Sequence, residues 1–544
     1  MNRLRKIFTI TAVALAAACL VLTSCAERTC TVTLLATNDT HGAVFPYGYD
    51  GDSSVHTSLA SVCAYADSLR TVLGDGHVAM VDCGDHLQGD NAVYYFNYVD
   101  STGEDHLLSR IFNFMDYSAV VVGNHDLEAG HPVYDRIARE LDVPYLAANA
   151  VSVSDGTAYF DRYAVIERDG LRIAVIGFTN PNVKSWISPD KYEGLDFVPV
   201  DSLAAGLVQQ VRRHERPDVV ILAVHCGLGQ AGVPSIENNA LYLASTVPGI
   251  DAVIASHDHR RTAVKVLGAD GDSVCVVEAG SKAAAVSRLD ISVVKKGGRP
   301  VSVNISPSVA DMGGVRPSGR YMEEFSEDYS TVLEFSNRII GYLDRPLDLS
   351  YREDGKSEYL SLIHYVQLSC PGVDVSFTAP LVSEGRMESG PIRFNDLFTL
   401  YRFENLLYVV RMTGDEIRSY LEEAYDKRIT RTDYLYNYET AGGLVYTVNP
   451  SGAKGSRVNI VSLWDGTPFD GAAQYRVAMT SYRASGAGGL LAAAGLDRDM
   501  MSERIVEIYP EIRVMLCDFI ENQGHIDPLR ISSMKKTGSW RFVR

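Results

Sequence analysis

The chain has 544 residues, 46% of them apolar, and a formal net charge of −18. The length implies two or more domains, and the apolar share argues against disorder. So acidic a chain is not built to hold a nucleic-acid polymer by its phosphates; any attraction for phosphate must be local, from metal ions or a few arginines.

Residues 1–24 read as a targeting segment. Arg3, Arg5 and Lys6 form a basic start, Ile7 to Leu22 is apolar, and Leu22-Thr23-Ser24-Cys25 resembles the bacterial lipobox, in which the cysteine is lipidated and becomes the mature N-terminus. The alternatives are plain secretion, with Cys25 a bystander, or one N-terminal anchor helix. No later stretch is apolar enough to span a bilayer. The expectation is a protein held at the cell envelope by its lipid, periplasmic or surface-facing. Beyond Cys19 and Cys25, seven scattered cysteines remain without a Cys-x-x-Cys, so neither a zinc ribbon nor a disulfide scaffold is indicated. Cys83 and Cys226 each adjoin a candidate ligand and read as buried packing residues.

Thr31 to Ala36 predicts a buried strand ending at Thr37-Asn38-Asp39-Thr40-His41-Gly42. Leu59 to Leu73 predicts a helix, and Val78 to Val81 a strand ending at Asp82-Cys83-Gly84-Asp85. A helix over Leu107 to Met115 precedes a strand over Ala119 to Val122, which runs into Gly123-Asn124-His125-Asp126-Leu127-Glu128. Then come a helix over Pro132 to Leu141, a strand over Leu171 to Phe178 and a helix over Leu203 to His214. A strand over Val219 to Val224 ends at His225, and one over Ala252 to Ala255 ends at Ser256-His257-Asp258-His259. Val274 to Ile305 is strand-like and expected to close the sheet. This alternation predicts an α/β layer architecture, with functional groups gathered beyond the strand C-termini.

Residues 307–320 turn rich in Gly and Pro and place a domain boundary there, with a linking helix over Tyr321 to Ile340. The expected division is a targeting segment 1–24, a first domain 25–310, a linker 311–340 and a second domain 341–544. In the second half, Glu358 to Leu368 and Asp415 to Tyr425 predict helices, the latter capped by Asp415.

Asp39, His41, Asp85, Asn124, His225, His257 and His259 offer carboxylate, amide and imidazole donors. That mix suits Zn, Mn or Fe better than Ca, and the lack of thiolates argues against a structural zinc. Seven donors are too many for one tetrahedral ion and fit two ions sharing a carboxylate, with room left for water and substrate. A single such motif is usually a solvated polar pair or a satisfied turn residue; five in order at strand ends are not.

These motifs resemble the signature set of the calcineurin-like metallophosphoesterases. The strings Ala36-Thr37-Asn38-Asp39-Thr40-His41-Gly42 and Asp82-Cys83-Gly84-Asp85-His86-Leu87-Gln88-Gly89 narrow the likeness to the bacterial 5′-nucleotidase family. The resemblance implies a four-layer αββα sandwich followed by a smaller α+β domain. It implies two divalent ions (Zn, Mn, Fe or Mg), one held by Asp39, His41, Asp85 and His259, the other by Asp85, Asn124, His225 and His257. It makes His125 a catalytic residue in a dyad with Glu128, where the family usually has Asp. Asp126 reads as a supporting carboxylate. The implied reaction is hydrolysis of a nucleotide phosphate ester by metal-activated hydroxide.

In the second half, Tyr401-Arg402-Phe403-Glu404-Asn405 resembles a base-binding segment, with Phe403 stacking and Asn405 hydrogen-bonding. Tyr482 in Thr480-Ser481-Tyr482-Arg483 resembles the opposite ring, or is a core tyrosine. Arg386 and Arg352 are the candidate phosphate-binding arginines. The family's Gly-Gly-Asp is here Ala487-Gly488-Gly489, without the ribose-binding carboxylate, so weakened or altered nucleotide specificity is expected. A cyclic-nucleotide phosphodiesterase, a UDP-sugar hydrolase or another phosphoesterase are the alternatives within the enzyme class. A non-catalytic surface nucleotide-binding scaffold is the alternative outside it.

Overall fold

The computed structural model describes residues 27–49, 55–352, 355–403 and 405–543, with nothing said of the side chains of Arg498 and Asp499. The targeting segment, Cys25 and Glu404 lie outside the described residues. Among these, no helix is long and apolar enough to cross a membrane. The chain forms two compact units. The first comprises the described residues of Met1–Gly48, Ser53–Val183 and Pro189–Tyr329; the second, those of Tyr49–Asp52, Lys184–Ser188 and Ser330–Arg544.

The first unit contains fourteen strands: β1 (Glu27–Thr37), β2 (Val78–Asp82), β3 (Ala119–Val121), β4 (Tyr145–Leu146), β5 (Ala150–Ser152), β6 (Tyr163–Arg168), β7 (Leu171–Phe178), β8 (Leu195–Phe197), β9 (Val219–Val224), β10 (Ala252–Ile254), β11 (Arg261–Leu267), β12 (Ser273–Ala279), β13 (Ala285–Lys296) and β14 (Arg299–Asp311). They build two six-stranded sheets, ordered β14-β13-β1-β2-β3-β4 and β11-β12-β10-β9-β7-β6, and a small β5-β8 pair. Leu34, Val81 and Val121 of one sheet share a core with Ile173, Ile221 and Ile254 of the other. The alternate residues of β9, Val220, Leu222 and Val224, pack instead with Ala204, Leu207 and Val211 of the helix Val200–His214. Both faces of each central strand are therefore buried, which is why these strands read as unbroken apolar runs rather than alternating ones. The helix Leu59–Leu73 buries Leu59, Val62 and Ala66 at the outer face of the first sheet, which completes the αββα order.

The central strands are parallel, with Thr37 opposite Asp82 and Asp82 opposite Val120 in one sheet, and Phe178 opposite Val224 and Ala223 opposite Ile254 in the other. Their C-termini open on one edge, and every candidate motif emerges there.

The second unit centres on a five-stranded sheet ordered Thr440–Gly442, Val375–Thr378, Gln474–Thr480, Leu406–Thr413, Ile505–Glu511. Its core gathers Val375, Phe377, Val410, Tyr420, Leu421 and Val477.

Four expectations need correction. Val274 to Ile305 does not close one sheet: β12 joins the second sheet, whereas β13 and β14 form the edge of the first. The Gly/Pro-rich tract starts inside structure, because β14 runs to Asp311 against β13. The predicted linking helix is two helices, Gly319–Glu324 and Ser326–Asn337, separated at Phe325. The helix Gly414–Thr430 is capped by Thr413 in a capping box with Glu416, and Asp415 lies in its first turn.

Candidate active site

Five of the seven candidate donors adopt left-handed backbone: Asp39 (φ 48°), His41 (46°), Asp85 (60°), His257 (83°) and His259 (57°). Such conformations cost non-glycine residues on the order of 1 kcal/mol or more and persist only where the surroundings over-determine them. Here the strand ends are locked to one another. Asp39 N donates to Gly84 O and His41 N to Asp85 O, both at 2.9 Å. Gly123 packs so closely that an added Cβ would lie 2.2 Å from the backbone nitrogen of Asp85, so only glycine fits.

Asp126 holds this junction together. Its Oδ1 accepts from the backbone N–H groups of His86 (2.8 Å) and Leu87 (2.9 Å), and its Oδ2 from those of Asp85 (2.9 Å) and Gly123 (2.7 Å). Beneath it lies the fully buried His86, with Nδ1 3.2 Å from Asp82 and 3.4 Å from Asp126. Burial opposes a charged His86, but Asp126 and Asp82 outweigh it and raise its pKa.

The donors fall into two groups, Asp39–His41–His259 and Asp85–His225–His257. In the first, Nε2 of His41 and Nε2 of His259 face each other at 3.1 Å, and His259 Nε2 lies 3.5 Å from Asp39 Oδ1. Asp39 Oδ2 accepts from Asn38 Nδ2, Ser256 Oγ and His257 N–H, whereas Oδ1 accepts only a longer, 3.2 Å share of the His257 N–H and faces His259. In the second, His225 Nε2 lies 3.0 Å from Asp85 Oδ2 and 3.1 Å from Asn124 Oδ1, and His257 Nδ1 lies 2.9 Å from the same Asn124 oxygen. Asp85 Oδ1 meanwhile accepts from His125 N–H at 2.8 Å.

The outward nitrogens show what the inward ones carry. His41 Nδ1 faces Gln88 C=O at 3.2 Å and His225 Nδ1 faces Cys83 C=O at 2.7 Å. His257 Nε2 faces Glu237 Oε1 at 3.1 Å. Carbonyls and carboxylates only accept, so these nitrogens bear the protons. Neutral His41 then directs its inward lone pair at His259. Burial opposes the cation of His225, but Asp85 outweighs it and raises its pKa to about 9, so that a proton on its Nε2, 3.0 Å from Asp85 Oδ2, stands where a metal cation would sit. Cations complete such an arrangement, and the chemistry of the donor set fits divalent metal. Burial disfavours the anion of Asp85, yet His225 and His125 hold its pKa well below the usual carboxylate range. Burial likewise lowers His41 to about 4, keeping it neutral.

His125 sits at the start of the short helix Asn124–Glu128, its side chain 31% exposed. Its Nδ1 lies 3.0 Å from Glu128 Oε1, without the alignment of a hydrogen bond, and its Nε2 lies 4.0 Å from Asp85 Oδ2. Burial opposes its cation, but Glu128 and Asp85 outweigh it and push the pKa up to about 10.

The candidate substrate residues of the second unit are more scattered. Phe403 is 36% exposed, and Asn405 Nδ2 lies 3.5 Å from the Tyr401 hydroxyl. Tyr482 is half-buried beside Arg483, which is buried and paired with Glu439 at 2.8 Å. Arg386 is exposed and paired with Glu388 at 2.8 Å; Arg352 is exposed, and its carbonyl accepts from Arg428. Cys83 and Cys226 are buried, and burial raises both thiols, as packing residues require. Sequence reasoning missed Glu237, which no motif announces.

Residues 32–261 match the family model of the calcineurin-like phosphoesterases, and residues 335–495 that of the 5′-nucleotidase C-terminal domain. The two together define a metallophosphoesterase with an appended nucleotidase domain. The chain belongs to the 5′-nucleotidase family and is a metal-dependent phosphoric ester hydrolase. It is 22% identical over 570 residues to the trifunctional nucleotide phosphoesterase protein YfkN of Bacillus subtilis, covering 91% of this chain but only 38% of that larger protein. It is 24% identical to a 2′,3′-cyclic-nucleotide 2′-phosphodiesterase/3′-nucleotidase of Yersinia enterocolitica, covering 86% and 83% of the two chains. The fold is shared with a putative 5′-nucleotidase of Staphylococcus aureus, at a TM-score of 0.77 and 20% identity over 94% of this chain and all of the other.

Proposed function

We propose that this chain is a lipid-anchored dinuclear phosphohydrolase that removes phosphate from nucleotides. The observation that supports it best is the convergence of imidazole nitrogens on the oxygens of Asp85 and Asn124, an arrangement a cation satisfies. Asp39, His41, Asp85 and His259 would hold one ion and Asp85, Asn124, His225 and His257 the other, with Asp85 shared. Divalent ions so held, Zn, Mn, Fe or Mg, lower the pKa of water and neutralise phosphoryl charge.

The chain's own groups supply the rest. His125 donates from Nε2 to a phosphoryl or leaving-group oxygen, and Glu128 keeps that imidazole protonated and oriented. Asp126 fixes where Asp85 stands. Nucleoside recognition is assigned to the second domain, through the rings of Phe403 and Tyr482, the amide of Asn405, and Arg386 and Arg352. Domains over 25–310 and 341–544, joined by a 311–340 linker, divide chemistry from recognition. Cys25 carries the lipid and keeps the protein at the cell envelope, outside the cytoplasm.

A cyclic phosphodiester substrate is the second reading. The missing carboxylate at Ala487-Gly488-Gly489 and the activity in the name of the Yersinia relative favour it. A panel of AMP, UMP, 2′,3′-cyclic nucleotides, UDP-glucose and an aryl phosphate, with added Mn, Zn or Mg, tests both. Metal-dependent release of phosphate from a nucleoside monophosphate is expected. Preference for the cyclic esters selects the second reading, and no turnover of any ester with any metal overturns both.

A further inference from the structure

His257 differs from its partners in the nitrogen it turns inward. His41, His225 and His259 present Nε2 to the centre, whereas His257 presents Nδ1. Its outward Nε2 lies 3.1 Å from Oε1 of Glu237, in the loop between His225 and the helix Ala240–Thr246. That loop is tied down at the glutamate itself. Its carbonyl accepts from Asn180 Nδ2 and from Gly227 N–H, each at 3.3 Å, and its second carboxylate oxygen lies 3.4 Å from Asn182 Nδ2. Both the backbone and the side chain of Glu237 are therefore placed by residues next to the second donor group.

We propose that Glu237 is a positioning residue for the second ion, fixing the tautomer of His257 so that Nδ1 carries the lone pair facing Asn124 and Asp85. The inference rests on the two-ion reading above. A neutral imidazole has one N–H, and free in water it carries it on either nitrogen. A carboxylate 3.1 Å from Nε2 selects the Nε2–H form, fixes the ring plane and makes Nδ1 a stronger donor. The His41 and His225 rings are held by backbone carbonyls, which no side-chain substitution removes. At His257 the same task falls on a side chain, so this ring of the second group can be loosened without touching a ligand. The Glu237 side chain is 37% exposed, and replacing it removes little packing.

The test is titration of the metal-free full-length protein with Mn²⁺ against a chelating indicator, for wild type, Glu237→Gln and Glu237→Ala. Wild type should take up two ions. In both variants one of the two should bind about 10- to 100-fold more weakly, the usual effect of losing such a partner, while the other is unchanged. Hydrolysis by Glu237→Gln should recover as Mn²⁺ is raised, and the thermal midpoint of the metal-free protein should not move. Variants that bind both ions as wild type does, or lose both equally, overturn the inference and leave the two-ion reading intact. A wild type that takes up no divalent ion overturns the two together.

Discussion

Replacing Asp126 by Asn tests whether the candidate site depends on its buried support. The carboxylate of Asp126 is inaccessible to solvent and accepts four backbone N–H groups, two on each oxygen. Asparagine has the same shape but one acceptor oxygen. Whichever way its amide turns, two buried N–H groups lose their acceptor and meet an N–H₂ donor. At about 1–3 kcal/mol for each buried donor left unsatisfied, the cost is roughly 2–6 kcal/mol. In a domain of this size each kcal/mol moves the midpoint by about 2–3 °C, so the metal-free protein should melt about 5–15 °C lower. The damage is also local, because two of the four donors belong to Asp85 and Gly123 and another to His86. Loosening them frees the Asp85 carboxylate from His225 and from the His125 N–H. Scanning calorimetry of the metal-free variant, with a metal titration of the protein that remains folded, measures both effects. An Asp126→Asn protein that melts within 1 °C of wild type and binds metal normally would refute the clamp.

Other expectations follow from the same geometry. His125→Ala should lower turnover by about 10²- to 10³-fold, the cost of losing one transition-state donor, with metal content unchanged by atomic emission. Asp85→Ala should instead lose metal from both groups, with activity falling in proportion. Phe403→Ala and Tyr482→Ala should raise KM for nucleotides while leaving an aryl phosphate unaffected; equal losses on both would remove these residues from base recognition. His106 supplies a pH signature away from the site. It caps the helix Leu107–Phe114 by accepting Leu108 N–H on Nδ1, with Nε2 3.1 Å from Asn97 Oδ1, and burial lowers its pKa to about 3. A depressed histidine contributes stability that is present above the unfolded value of about 6.5 and is lost as pH falls toward the folded value. Between pH 7 and pH 4 it should remove about 3 kcal/mol, and His106→Gln should flatten that limb of urea-unfolding curves.

The fold was legible where both faces of a strand are buried. β7 and β9 read at their observed bounds because an unbroken run such as Val219 to Val224 has no polar residue to blur its ends. The helices Leu59–Leu73 and Glu358–Leu368 were equally clear. Exposed strands were not. β11 carries Arg261, Lys265 and an exposed Leu267, and its sequence cannot be told from a loop, because its partner β12 is what makes it a strand. The link between the halves misled for a related reason: helical composition runs on through Phe325, but the chain breaks there into two helices.

At the candidate site, the residues that face inward were legible and those that aim them were not. Donors must be Asp, His or Asn and must follow a strand end, so chemistry and spacing coincide in the sequence. The groups that orient them need satisfy only geometry. The carbonyls of Gln88 and Cys83 set the His41 and His225 rings, and any residue but one altering the backbone would supply the same oxygen. Glu237 sits twenty residues before His257 in a loop with no pattern of its own, and only folding brings them to 3.1 Å. The left-handed backbone at Asp39, His41, Asp85, His257 and His259 was hidden for the opposite reason. Local preference argues against it, and the bonds between strand ends that enforce it join residues far apart in the chain. Sequence therefore states which atoms can bind and leaves unstated the strain and support that hold them in place. Those supports are therefore where metal affinity can be changed without changing a donor.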